Sequence, residues 1–168
     1  MARRFAVSVL AALWLVSSWG CGPQPRLTDL TLVPTLSGYY DDGVQPDRQN
    51  RLLPSMTFQL KNGGAIPVNN VDLVVAFWEV GADGELDSKQ IRGLSGEPLQ
   101  PGATGEPITV RSSVGYKYPG PRAEMLTNRD FKGFIIKVFA KRGGRQAKLG
   151  EFPIDARLLP AAKTGGQQ

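Results

Sequence analysis

Residues 67–80 read PVNNVDLVVAFWEV. From Val71 the stretch alternates with a period of two. Val71, Leu73, Val75 and Phe77 fall on one side, and Asp72, Val74, Ala76 and Trp78 on the other. That is strand periodicity, and β-branched and aromatic side chains suit a pleated, buried surface. The second face begins polar and turns apolar, as expected of a strand near the middle of a sheet. The core is expected to condense on it. Gly81-Ala82-Asp83-Gly84 follows and turns the chain back as a hairpin.

Working outward, residues 54–62 (PSMTFQLKN) place Met56, Phe58 and Leu60 on one face and Thr57, Gln59 and Lys61 on the other. Asn62-Gly63-Gly64 ends that strand in a turn, because these residues tolerate positive φ. Residues 131–141 (FKGFIIKVFAK) set Phe134, Ile136, Val138 and Ala140 against Ile135, Lys137, Phe139 and Lys141. Arg142-Gly143-Gly144-Arg145 turns this strand into a last one over 149–154, with Pro153 marking an edge. A first strand is expected over 27–36, with Pro34 at an edge or bend. A short one is expected around 90–94, and another through Ile108 and Val110, after the Pro-Gly turn at 101–102. Helical periodicity is almost wholly missing, although Arg122 to Leu126 could form one helical turn. About seven short strands with strong turns between them predict an all-β protein, an immunoglobulin-like antiparallel β-sandwich.

Two stretches break the pattern and are expected to be long loops, 37–53 and 112–128. Loops on a rigid scaffold carry recognition. Tyr39, Tyr40, Tyr116 and Tyr118 are therefore the candidate binding residues, since tyrosine adds contact area at small entropic cost. The competing expectation is that these rings pack over the ends of the sandwich. Asp41, Asp42 and Asp47 could offer oxygen ligands to calcium, but their spacing fits no EF-hand loop and a solvated turn is the simpler reading. No metal or cofactor is expected.

The chain has 168 residues, of which 41% are hydrophobic and 21% charged, with 20 glycines and 13 prolines. These are values of a folded, turn-rich domain. It has no histidine. That removes the usual general base, the commonest metal ligand and the Ser-His and Cys-His nucleophile pairs. Carboxylate catalysis would need a placed pair, and no spacing singles one out among Asp41, Asp42, Glu79 and Glu124. The protein is expected not to be an enzyme.

The N-terminus, residues 1–21, reads MARRFAVSVLAALWLVSSWGC. Arg3 and Arg4 precede an apolar run from Phe5 to Val16, then small and polar residues, then Cys21. This is the order of a secretory signal, and the run is shorter than the roughly 20 residues that span a bilayer. Cys21 is the sole cysteine, so it has no disulfide partner within the chain. Arg3 and Arg4 leave with the signal and no acidic residue does, so the net charge falls from +5 to +3. That mild balance does not support nucleic-acid binding.

Leu15 to Cys21 resembles the lipobox of bacterial lipoproteins. Gly20 is the small residue that the motif places before the cysteine, while Ser18 and Trp19 depart from it. The resemblance implies that Cys21 is acylated and becomes the mature N-terminus, and two or three acyl chains anchor stably. Gly22 stands where an Asp would favour inner-membrane retention, so the resemblance implies the outer membrane in a two-membrane cell. The alternative is a plainly secreted domain with a free thiol. The domain plan is a signal peptide over 1–20, a lipidated tether over 21–26 stiffened by two prolines, a sandwich over 27–158 and a disordered tail over 159–168.

The segment from Phe58 to Val110 is also similar to the small immunoglobulin-like FxLYD and CARDB domains of bacterial envelope proteins. The shared features are the strand ending in Asn62-Gly63, Pro67-Val68 leading into a long strand, the Phe77-Trp78-Glu79 group, the glycine hairpin at Gly84 and the Leu-x-Pro-Gly turn at Leu99 to Gly102. The resemblance implies a non-catalytic spacer, adhesion or assembly module. The expected function is thus a membrane-anchored binding or assembly module of the cell envelope, with another envelope protein or a glycan as partner. The alternative is a carrier of a lipid or other apolar ligand held between the sheets. Lys132, Lys137, Lys141, Arg142, Arg145 and Lys148 could touch anionic lipid or glycan, or could simply keep an edge soluble.

Overall fold

A computed structural model describes residues 24–160. The expected signal peptide, Cys21 and the tail beyond Pro160 lie outside the described residues. The described chain forms eight strands: β1 (Leu30–Val44), β2 (Asn50–Asn62), β3 (Val71–Glu79), β4 (Glu85–Leu94), β5 (Ile108–Arg111), β6 (Tyr116–Tyr118), β7 (Phe134–Arg142) and β8 (Arg145–Pro153). Two short 3₁₀ turns, Leu27–Asp29 and Arg122–Glu124, complete the regular structure.

The strands make two antiparallel sheets. The first has the order β1-β2-β5, with β6 also pairing β2, and the second β4-β3-β7-β8. β5 pairs Ser55 to Phe58 and β6 pairs Asn50 to Leu52. The two short strands thus share one position beside β2, which leaves seven places in an immunoglobulin-like sandwich. The chain crosses between sheets after β2, after β4 and after β6.

The alternation seen in the sequence is the alternation of the core. Val71, Leu73, Val75 and Phe77 of β3 are wholly buried, and so are Ile136, Val138 and Ala140 of β7. Across the interior, β2 contributes Met56, Phe58 and Leu60, each at most 1% exposed. The interlayer space is filled by these side chains and by Tyr39, Leu52 and Met125.

Two loop expectations are corrected. Residues 37–53 are mostly strand: β1 continues to Val44, β2 begins at Asn50, and a short turn joins them. The register slips between Pro34 and Leu36, so β1 passes Pro34 on a bulge and resumes pairing. Proline is tolerated there because β1 is an edge strand. Within 112–128, Tyr116–Tyr118 pairs as β6. The strand expected around 90–94 is also longer, beginning at Glu85.

The turns named by the sequence are joined to one another. Asn62 is fully buried, and its side-chain amide donates to the carbonyls of Ile66 and Leu99, both at 2.9 Å. Its Oδ1 accepts the Gly64 N–H at 2.9 Å. The backbone of Gly102 donates to the Asn62 carbonyl at 2.7 Å. The Asn-Gly turn and the Leu-x-Pro-Gly turn therefore lock together at the end of the sandwich where the chain enters.

Candidate functional site

The four candidate tyrosines separate into three environments. Tyr39 faces inward from β1 and is wholly buried. Its ring meets Phe131 edge-on at 5.2 Å and Phe134 at 6.1 Å. Its hydroxyl accepts the Phe134 N–H at 3.2 Å. Burial pushes its phenol up to about 12, with the Phe134 hydrogen bond opposing. Tyr39 is a core residue, and the expectation that it forms part of a contact surface is corrected.

Tyr40, the next residue, points to the outer face of the same sheet. The guanidinium of Arg111 lies 3.3 Å from its ring centroid. Arg111 reaches it from β5 across Leu53 and Ser55, which are buried beneath. The Nε of Arg111 is enclosed without a hydrogen-bond partner, so this pair is held by stacking and charge.

Tyr116 and Tyr118 lie on one face of β6, stacked at 6.3 Å with 14° between the planes. Tyr116 also meets Phe131 edge-on at 5.2 Å. Both rings are half-buried. Partial burial, Asp130 and Tyr118 together hold the Tyr116 phenol above its ordinary value. An aromatic chain thus runs from the core at Phe134 and Tyr39 through Phe131 to Tyr116 and Tyr118. Met125, wholly buried, fastens the 119–133 segment over the same end. Gly120 allows this closure, because a Cβ there would run into the Tyr118 ring.

The acidic candidates at this end are each engaged by a cation. Asp41 pairs with Arg122 at 2.6 Å, Asp47 with Lys117 at 2.7 Å, and Asp42 with Arg51. Lys117 holds the Asp47 carboxyl below its ordinary value, helped by the Gln49 N–H. Among the described residues no three His, Cys, Asp or Glu side chains converge on a metal position. Glu79 pairs with Lys132 at 3.3 Å.

Of the basic cluster, Lys137 lies 3.7 Å over the Trp78 ring and 3.8 Å from Glu151, and Lys148 pairs with Glu151 at 2.7 Å. Lys141, Arg142 and Arg145 have no carboxylate partner among the described residues.

One polar site had no sequence signal. Asp87 faces inward from β4 and accepts from the Ser112 hydroxyl at 2.8 Å, the Ser113 N–H at 2.7 Å and the Ser113 hydroxyl at 2.9 Å. Lys89 stands 3.6 Å away. Partial burial raises the carboxyl, but these donors outweigh it and hold Asp87 below its ordinary value. The site clamps one sheet to the other. An inward-pointing charge on an edge strand also discourages strand addition there.

No family model matches the chain, and no curated protein matches it at a significant level.

Proposed function

We propose that the protein is an extracytoplasmic lipoprotein, anchored by acyl chains on Cys21, whose β-sandwich is a non-catalytic binding or assembly module of the bacterial cell envelope. The observation that carries this reading is the N-terminal sequence, a signal-like run ending in Gly20 and the sole cysteine. The tether joins the sandwich at the start of β1, and Tyr116 and Tyr118 pair beside Leu52 and Asn50 at the opposite end. Ten residues of β2 separate Leu52 from Asn62. At about 3.3 Å per residue the aromatic end stands roughly 33 Å from the tether end. Tyr116, Tyr118 and the ion pairs around them are the proposed contact surface. The similarity of residues 58–110 to FxLYD and CARDB domains supports the same reading. The filled interlayer space favours a contact module over a carrier of apolar ligands.

The test is the intact mass of the mature protein recovered from membranes, beside a Cys21→Ser variant. A species that begins at Cys21 with added acyl mass is expected, and the variant should leave the membrane fraction. A soluble, unacylated wild-type species would overturn the reading.

A further inference from the structure

The cations of the described residues divide unevenly. Ten have a carboxylate partner. Of those without one, Arg111 stacks on Tyr40 and Arg48 sits in the β1–β2 turn. The rest are Arg26, Lys61, Lys141, Arg142 and Arg145, and all five belong to the end of the sandwich where the tether enters. Arg142 has only a 3.5 Å contact with the Asn69 side chain. Of the acidic groups at this end, Asp72, the register partner of Lys141, binds Arg92 at 3.2 Å. Asp29 lies with its side chain against Gly64, and Glu97 and Glu106 line a separate groove between β4 and β5. None of these carboxylates pairs with Lys141, Arg142 or Arg145.

The tether runs directly beside the unpaired cations. Gln24, Pro25 and Leu27 form one wall of an open groove whose other wall is Arg142, Gly143 and Arg145. Cys21 precedes Gln24 by three residues, and an extended chain of that length reaches about 10 Å. An acylated Cys21 would hold the β7–β8 turn near the headgroup layer, at about the 8 Å distance over which a membrane's charge acts at physiological salt.

We propose that the β7–β8 turn, through Lys141, Arg142 and Arg145 with Arg26 beside it, seats on anionic phospholipid headgroups of the membrane that holds Cys21. The proposal rests on the lipid-anchor reading above. These cations are spread over an exposed turn and do not converge on one point, which suits a charged surface and not a single captured phosphate. Since the acyl chains already anchor the protein, the turn sets orientation. It stands the sandwich on this end, with Tyr116 and Tyr118 directed away from the bilayer.

The test uses the acylated mature protein purified from membranes. A single fluorophore is attached through Gln146→Cys, an exposed position beside the turn, or through Asp83→Cys in the distal β3–β4 turn. Each protein is placed in vesicles of phosphatidylcholine, with or without phosphatidylglycerol, that carry a headgroup quencher. The Gln146 label should be quenched more strongly when phosphatidylglycerol is present, and the Asp83 label should not respond. Raising salt to about 1 M, where screening shortens to about 3 Å, should abolish the difference without any substitution. Each cation is expected to shift the ratio of seated to unseated protein about fivefold, so Arg142→Gln with Arg145→Gln should lower that ratio about 25-fold. Acylated protein whose Gln146 label ignores lipid charge and salt would overturn this proposal alone. Lack of acyl mass on Cys21 would overturn it together with the anchor.

Discussion

At the scale of single residues, Tyr39 and Asn62 carry polar groups into the core and satisfy them differently. An unfolded tyrosine ionises near pH 10, whereas burial keeps Tyr39 neutral up to about 12. Folding therefore favours the protonated form. Its contribution is whole below pH 10 and is lost as pH rises from about 10 toward 12. In an alkaline titration followed by tyrosinate absorbance, Tyr39 should ionise only with cooperative unfolding. Four tyrosines titrating together near pH 10 with the fold intact would contradict this. Tyr39→Phe should cost about 1 kcal/mol at neutral pH, because the Phe134 N–H loses its acceptor, and should weaken the alkaline transition. Asn62 serves two carbonyls and one N–H with a single amide. Asn62→Ala leaves three groups, one buried and two part-buried, without that partner and should cost about 2–4 kcal/mol in urea denaturation. Asn62→Asp should also be costly, since it removes the donor to Ile66 and Leu99.

At the scale of elements, legibility followed the contrast between faces. β2, β3 and β7 each bury one face, so their periodicity stood out in the sequence. The far half of β1 and most of β4 do not. Ser37 to Asp42 is polar or aromatic on both sides, and β4 points Asp87 and Lys89 inward, which erases the apolar half of the signal. Asp87 gives β4 a test. Its folded pKa lies below the unfolded value, so its stabilisation is present above the unfolded pKa near 4 and fades as pH falls through the folded value. The melting temperature of the wild type should fall more steeply than that of Asp87→Asn as pH drops below about 4. Equal slopes would show that the clamp contributes nothing. β6 was hidden because it is three residues long, and it depends on Gly115. A Cβ there would collide with the Leu52 carbonyl of the strand it pairs with. Gly115→Ala should cost about 1–3 kcal/mol, with faster amide exchange concentrated at Arg51 and Lys117.

At the scale of the whole molecule, the two sheets are joined by more than the core. After β8 the chain leaves the second sheet and runs along the free edge of β1 in the first. Tyr39 N–H donates to the Arg157 carbonyl and Leu159 N–H to the Tyr39 carbonyl, both at 2.8 Å. The Ser37 hydroxyl donates to Asp155 at 2.7 Å, and Arg157 Nε donates to the Ser37 carbonyl at 2.7 Å. This strap was illegible because it is held by two backbone bonds and by isolated polar side chains, which residues 155–159 (DARLL) do not advertise by any period. The candidate surface was half legible for a related reason. Tyr residues were easy to find, but whether each ring faces in or out depends on a register that the bulge at Pro34 shifts by one residue. The strap covers an edge that would otherwise present open N–H and C=O groups, so it both stabilises and shields. Ending the chain after Ile154 removes these four hydrogen bonds and a fifth, longer one from the Asp155 N–H to the Ser37 hydroxyl at 3.4 Å, each worth about 0.5–1.5 kcal/mol. The expected loss of roughly 3–7 kcal/mol corresponds to a melting temperature lower by about 10 °C or more. The truncated protein should also self-associate through β1, and Arg111, on the other edge of that sheet, should keep its stacking on Tyr40. A truncated protein that melts as the full chain does, and stays monomeric at high concentration, would show that β1 needs no cover. In that case β1 itself, with Pro34 and the bulge beside it, would have to account for the protection of that edge.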